Sequence, residues 1–121
     1  MADHVVAETT DVPEGERLVV ELEGREIGVF NVDGEYYAYT NWCAHQGGPC
    51  CEGPITGTSK ARFDAESLEV ELSWVKEGEI LNCPWHGWEY DVTNGECLSR
   101  AGISLVSHPV SVEDGQLVVS L

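Results

Sequence analysis

The chain has 121 residues, of which 22 are Asp or Glu and only 6 are Lys or Arg, for a formal net charge of −16 at pH 7. That length bounds one domain with a modest core and leaves no room for a second catalytic unit. The charge disfavours nucleic acid and anionic membrane surfaces as partners, and no apolar run in the sequence reaches membrane-spanning length. Met1-Ala2-Asp3-His4 lacks the basic and apolar regions of an export signal, so a cytoplasmic location is expected. The acidity has two readings: a docking face for a basic partner, or general solvation of the kind that suits a high-salt cytoplasm. The acids are spread along the chain rather than clustered, which favours the second, halophilic reading.

In chain order, Leu18, Val20 and Leu22 alternate with mostly polar neighbours and predict a half-buried strand. Asp33-Gly34 predicts a tight hairpin between strands over residues 27–32 and 35–40. Residues 57–67 are the least patterned and predict a loop or a short helical turn. Leu68, Val70, Leu72 and Trp74 then alternate with Glu69, Glu71 and Ser73, again as a half-buried strand. Asn94-Gly95 predicts a further tight turn, and Asp114-Gly115 joins residues 110–113 to 116–121 as adjacent antiparallel strands. No segment carries a helical stripe. The expected fold class is all-β, built of antiparallel sheets.

Five cysteines are present: Cys43, Cys50, Cys51, Cys83 and Cys97. Without an export signal, metal ligation is expected before a disulfide framework. Two fragments carry the chemistry, Cys43-Ala44-His45 and Cys83-Pro84-Trp85-His86, each followed closely by glycine. Both fall in predicted loops, which can converge at one end of a β-domain. Two thiols and two imidazoles could close a tetrahedral zinc site. Zinc fingers, however, usually pair cysteine with cysteine in one knuckle. One cysteine and one histidine per loop suits a dinuclear iron–sulfur cluster, with both thiolates on one iron and both imidazoles on the other.

At these residues the chain resembles the Rieske family, whose motif is Cys-x-His in one loop and Cys-x-x-His-Gly in the next. The resemblance runs through His45-Gln46-Gly47-Gly48-Pro49 and Cys83-Pro84-Trp85-His86-Gly87-Trp88-Glu89-Tyr90-Asp91, and on to Gly95 and His108-Pro109-Val110. It implies a Rieske fold over residues 1–121, with antiparallel sheets and a cluster-binding subdomain formed by loops at about 42–54 and 82–91. It further implies one [2Fe–2S] cluster per chain, with Cys43 and Cys83 on one iron and His45 and His86 on the other. Gln46, Gly47, Gly48, Trp85, Gly87, Trp88 and Tyr90 would surround it. Gly47, Gly48 and Gly87 would let the backbone wrap closely and give N–H groups to the sulfurs, and Pro84 would stiffen the second loop.

The departures from the family pattern carry expectations of their own. Gly48 and Trp85 stand where the Rieske proteins of cytochrome bc complexes have a bridge of two cysteines, and Trp88 stands where they have serine. Both changes predict a potential toward the low end of the family range, about −150 mV rather than +300 mV. Tyr90 is retained, and its hydroxyl is expected to reach a ligand sulfur and raise the potential in part. The 37 residues between His45 and Cys83 exceed the common family gap. The excess around residues 52–80 predicts an elaborated hairpin.

The resemblance implies a soluble one-electron carrier, not an enzyme, passing electrons from a reductase to a terminal oxidoreductase such as an oxygenase. Two alternatives remain open at this point: a small Rieske subunit of a larger enzyme of the nitrite-reductase kind, and a zinc-stabilised interaction module. No catalytic acid–base pair is expected, and the oligomeric state is open. Cys50, Cys51 and Cys97 are read as packing thiols. His4 and His108 are read as ordinary hydrogen-bonded histidines. Trp42, Trp74, Trp85 and Trp88 are read mostly as core and cluster cover.

Overall fold

A computed structural model describes residues 3–43, 47–64, 66–85 and 87–121 of the chain. Strands β1 (Asp3–Glu8), β2 (Arg17–Leu22), β3 (Arg25–Val32) and β4 (Glu35–Thr40) come first. β5 (Ile55–Asp64), β6 (Glu69–Asn82) and β7 (Glu89–Asp91) follow, then β8 (Ser107–His108), β9 (Val110–Glu113) and β10 (Gln116–Ser120). They form three antiparallel sheets, ordered β1-β10-β9, β2-β3-β4-β8 and β5-β6-β7.

Turn chemistry fixes the hairpins. Asp33 and Gly34 both hold positive φ (52° and 86°), as do Asp114 and Gly115 (52° and 74°). Two consecutive left-handed residues match the right-handed twist of the flanking strands. Glu23-Gly24 does the same between β2 and β3 (51° and 78°), although Glu-Gly is a weaker sequence signal than Asp-Gly. Asn94-Gly95 leads from β7 to an isolated bridge, Tyr90 opposite Cys97, rather than to a full second strand.

β3 is the shared wall of two cores. Ile27 and Val29 face one core with Val12, Ala38, Leu117 and Val119. Phe30 and Val32 face the other with Tyr39, Leu81, Tyr90, Val92 and the buried cysteines. A strand covered on both sides reads as a continuous apolar run, which is why residues 27–32 show little alternation. Each fully buried Ile, Val or Phe in this wall contributes about 1.5–3 kcal/mol of transfer free energy.

The long hairpin departs from expectation in two ways. The segment expected as a loop or helical turn, 57–67, is mostly strand β5, paired with β6 from Thr58↔Val75 to Asp64↔Glu69. Its own alternation is weak, and the partner strand supplies the order. The apolar residues expected to be half buried are instead open to solvent: Leu68 is 76% exposed, Val70 61%, Leu72 71% and Trp74 60%. Among the described residues the outer hairpin has no third strand, because β7 pairs only with Ile80, Leu81 and Asn82. Among the described residues no further strand covers that face. The register breaks between Thr56 and Thr58, where residues 76–79 of β6 bulge out. Lys76 (φ 57°) and Gly78 (φ 82°) turn the chain there.

Candidate metal centre

The first loop leaves β4 after Thr40, and the second leaves β6 after Asn82. The two loops close in the same way. In the first, Cys43 N–H donates to the Gly48 carbonyl (2.8 Å) and Gly47 N–H donates to the Cys43 carbonyl (2.7 Å). In the second, Cys83 N–H donates to the Trp88 carbonyl and Gly87 N–H to the Cys83 carbonyl, both 2.9 Å. Each ring needs a left-handed residue four positions after the cysteine, and Gly47 (φ 72°) and Gly87 (φ 71°) supply it. The expectation that these two glycines aim their N–H groups at sulfur is thus corrected. Their N–H groups are committed to the cysteine carbonyls and hold the rings shut.

The rings meet. A Cβ on Gly48 would lie 2.7 Å from the Trp85 indole, so the second loop's tryptophan is seated on the first loop's glycine. A Cβ on Gly47 would lie 2.6 Å from Trp42 Nε1, so a second indole backs the same dipeptide. Where the first loop rejoins β5, a Cβ on Gly53 would fall 1.6 Å from the Asn82 carbonyl oxygen. Pro84 also approaches that position, its Cδ 3.1 Å from it.

Cys43 and Cys83 are buried, at 1% and 2% exposure, in one core cluster. The Tyr90 hydroxyl lies 3.2 Å from Cys43 Sγ, as expected of a phenol that reaches a ligand sulfur. Buried thiols at the heads of two matching loops, one of them held by a phenol, fit a group that takes two thiolates. The other donors supplied by the motifs, His45 and His86, lie outside the described residues, as does Gln46. Among the described residues no three His, Cys, Asp or Glu side chains come together as a metal site.

The remaining cysteines behave as packing groups. Cys50 and Cys51 are fully buried in a short 3-10 turn, Cys50–Glu52, and Cys97 is buried at 7% exposure. The hydrogen bond to Cys50, together with burial, pushes the Cys51 thiol well above its ordinary range, so it stays protonated. His4 Nε2 lies 2.8 Å from Glu23 and His108 Nε2 lies 2.7 Å from Thr40 Oγ1, so both are ordinarily satisfied.

The tryptophans correct the expectation of core residues. Trp42 (54%) and Trp85 (55%) are half exposed on either side of Gly47-Gly48, and Trp74 stands on the outer hairpin. Trp88 is only partly exposed and carries the Arg100 guanidinium 5.7 Å from its ring centre.

Three supports of the first loop carried no sequence signal. Arg17 of β2 donates from Nη1 to the Cys51 carbonyl (2.8 Å) and to that of Gly53. Asn41 Oδ1 accepts from Cys51 N–H (2.9 Å). Gly28 of β3 leaves room for Cys51, whose Sγ would be 2.7 Å from a Cβ there. A cation inside an alternating strand was the only hint, and it marks no chemistry. Beside the second loop, Asp91 is 1% exposed and accepts from Lys76 Nζ (2.6 Å), Thr93 N–H (2.9 Å) and Thr93 Oγ1 (2.6 Å). Burial alone would raise its pKa, but these donors hold it below the usual carboxylate value.

Comparison with known proteins agrees with this geometry. The family model for the Rieske [2Fe-2S] domain matches residues 2–109. The ferredoxin component of the naphthalene 1,2-dioxygenase system of Pseudomonas aeruginosa is 27% identical over 112 residues, covering 92% of this chain and 88% of that protein. A Rieske domain-containing protein of Homo sapiens is 28% identical over 131 aligned positions, covering 96% and 73%. Among solved structures, the ferredoxin of carbazole 1,9a-dioxygenase from Nocardioides aromaticivorans IC177 superposes with a TM-score of 0.70 at 21% identity, covering 99% and 98% of the two chains. Sphingomonas yanoikuyae B1 ferredoxin does so with 0.69 at 24%, covering 99% of each. With matching loops, buried thiols and a family match over nearly its whole length, this chain belongs to the Rieske [2Fe-2S] family.

Proposed function

We propose that residues 1–121 form one Rieske unit working as a ferredoxin, which takes one electron at a time from a reductase and gives it to a terminal oxygenase. Cys43 and Cys83 hold one iron of a [2Fe–2S] cluster, and His45 and His86 hold the other. The observation that carries this reading is the pair of matching loops, each with a buried cysteine at its head and a left-handed glycine closing it. The cluster supplies reversible one-electron chemistry in the family's range.

The chain's own residues do the rest. Gly47 and Gly87 keep the two backbone rings closed. Tyr90 donates to Cys43 Sγ and favours the more negative sulfur of the reduced state. Arg17 and Asn41 anchor the end of the first loop to the sheet. The high acidity is read as adaptation to a high-salt cytoplasm. The relatives that are ferredoxin components of dioxygenase systems support an oxygenase as acceptor.

Metal and sulfide analysis with electron paramagnetic resonance tests the reading. About two irons and two sulfides per chain, with a reduced-state spectrum showing nitrogen couplings from imidazole, are expected. One zinc without sulfide would overturn it. Each of His45→Ala and His86→Ala is expected to lose one nitrogen coupling or the cluster itself. Unchanged spectra in either variant would remove that residue from the ligand set.

A further inference from the structure

The outer half of the β5–β6 hairpin has no role in holding the metal centre, and its surface is unusual for this chain. Seven register pairs, Thr58↔Val75 to Asp64↔Glu69, make a two-stranded arm roughly 24 Å long. Val70, Leu72 and Trp74 occupy alternate positions on one face of β6, and Leu68 continues the line at the tip; all four are exposed. The residues opposite the first three are Phe63, Ala61 and Ser59. None of these six register positions holds an ionisable residue, in a chain of net charge −16. The charged residue types of the arm, Lys60, Arg62, Asp64, Glu69 and Glu71, alternate with them on the other parity.

An isolated two-stranded hairpin is marginal in water, and a contiguous exposed apolar face marks an interaction site. We propose that this face is covered by the same face of a second copy, in a twofold dimer joined arm to arm. Three observations select that occupant. The register positions of the face hold no ionisable residue, and the Glu77 carboxylate beside it is taken up by the Trp74 indole N–H, so a partner recruited by the acidity of the chain would engage other surfaces. The face is self-matching in length and composition, as a twofold contact requires. The exposed parts of Leu68, Val70, Leu72 and Trp74 amount to roughly 500 Å² per copy, so covering them fully brings two copies to about the 1,000 Å² at which specific interfaces begin. The dimer is therefore weak and reversible. Because β6 runs from the arm to Asn82, beside Cys83, the contact lies at the far end of that strand from the metal loops. Both loop ends stay open to redox partners.

The net charge opposes the dimer, and salt removes that opposition. Sedimentation velocity of the cluster-loaded full chain, from about 10 µM to about 1 mM, tests this in about 0.1 M and about 2 M potassium chloride. A monomer–dimer equilibrium is expected whose dissociation constant falls at least about tenfold in the higher salt. Leu72→Glu is expected to raise that constant at least about tenfold in high salt, with the visible spectrum of the cluster unchanged. If Leu72→Glu loses the cluster, Leu68→Glu at the exposed tip repeats the test. A monomer under all conditions overturns the proposal and leaves the arm to a different partner. So does a dimer indifferent to the glutamate, which would place the contact elsewhere. Association that weakens with salt, or open-ended assembly, overturns it as well.

Discussion

Tyr90→Phe removes one oxygen atom from a fully buried side chain and with it the donor 3.2 Å from Cys43 Sγ. A hydrogen bond to a charged acceptor contributes about 1.5–3 kcal/mol. The sulfur is more negative when the centre is reduced, so the bond is stronger in that state, and losing it disfavours reduction. A difference of about 1 kcal/mol between the two states, a fraction of the whole bond, corresponds to about 40 mV for one electron. The potential of Tyr90→Phe is therefore expected about 40 mV below that of the parent. Dye-mediated titration followed by electron paramagnetic resonance, at one pH and one ionic strength, measures it. The ring still fills its place in the core, so the cluster spectrum should keep its shape. A potential unchanged within about 10 mV, or one that rises, would refute the reasoning while leaving the ligand set untouched.

Other residues make equally definite demands. Gly48→Ala places a methyl group 2.7 Å from the Trp85 ring, and overpacking of that kind costs about 1–3 kcal/mol; urea unfolding should show it, and Trp85→Leu in the same chain should recover part of the loss. Asp91 has a folded pKa below its unfolded value of about 3.9, so its pairing with Lys76 and Thr93 stabilises fully above that pH and is lost as the pH falls through the lower folded value. The stability gap between the parent and Asp91→Asn should therefore close as the pH falls below about 4, and a gap that stays constant from neutral pH to about pH 3 would contradict the assignment. Cys97→Ser should leave the cluster spectrum intact, while Cys43→Ser should abolish it. The thermal midpoint should climb with potassium chloride as self-repulsion among the acids is screened; a flat or falling midpoint would instead favour a docking face.

Much of the fold was legible because local chemistry and tertiary structure agree. Asp33-Gly34 and Asp114-Gly115 demand two left-handed residues in a row, and both hairpins form there. The two cysteine fragments were legible for a similar reason: glycine four positions after each cysteine is required by the backbone ring itself. What escaped was decided between distant segments. Residues 57–67 have little alternation of their own and become strand only through pairing with β6. Alternation at Val70, Leu72 and Trp74 identified a strand correctly but said nothing of what would cover it, so the expectation of burial failed. The same holds for Trp42 and Trp85, whose apolar character suggested core. They lie half exposed because they rest on glycines at the surface of the loops. Arg17, Asn41 and Gly28 serve a loop that is far from each of Arg17 and Gly28 in sequence, and no spacing rule connects them.

Mixed ligation by the two matching loops is open to pulsed electron paramagnetic resonance on the reduced protein, with iron and sulfide counted in the same sample. About two irons and two sulfides per chain are expected, with couplings from two imidazole nitrogens bound to one iron. A four-thiolate signature without nitrogen, drawing Cys50, Cys51 or Cys97 into the ligand set, or a colourless zinc protein, would contradict it.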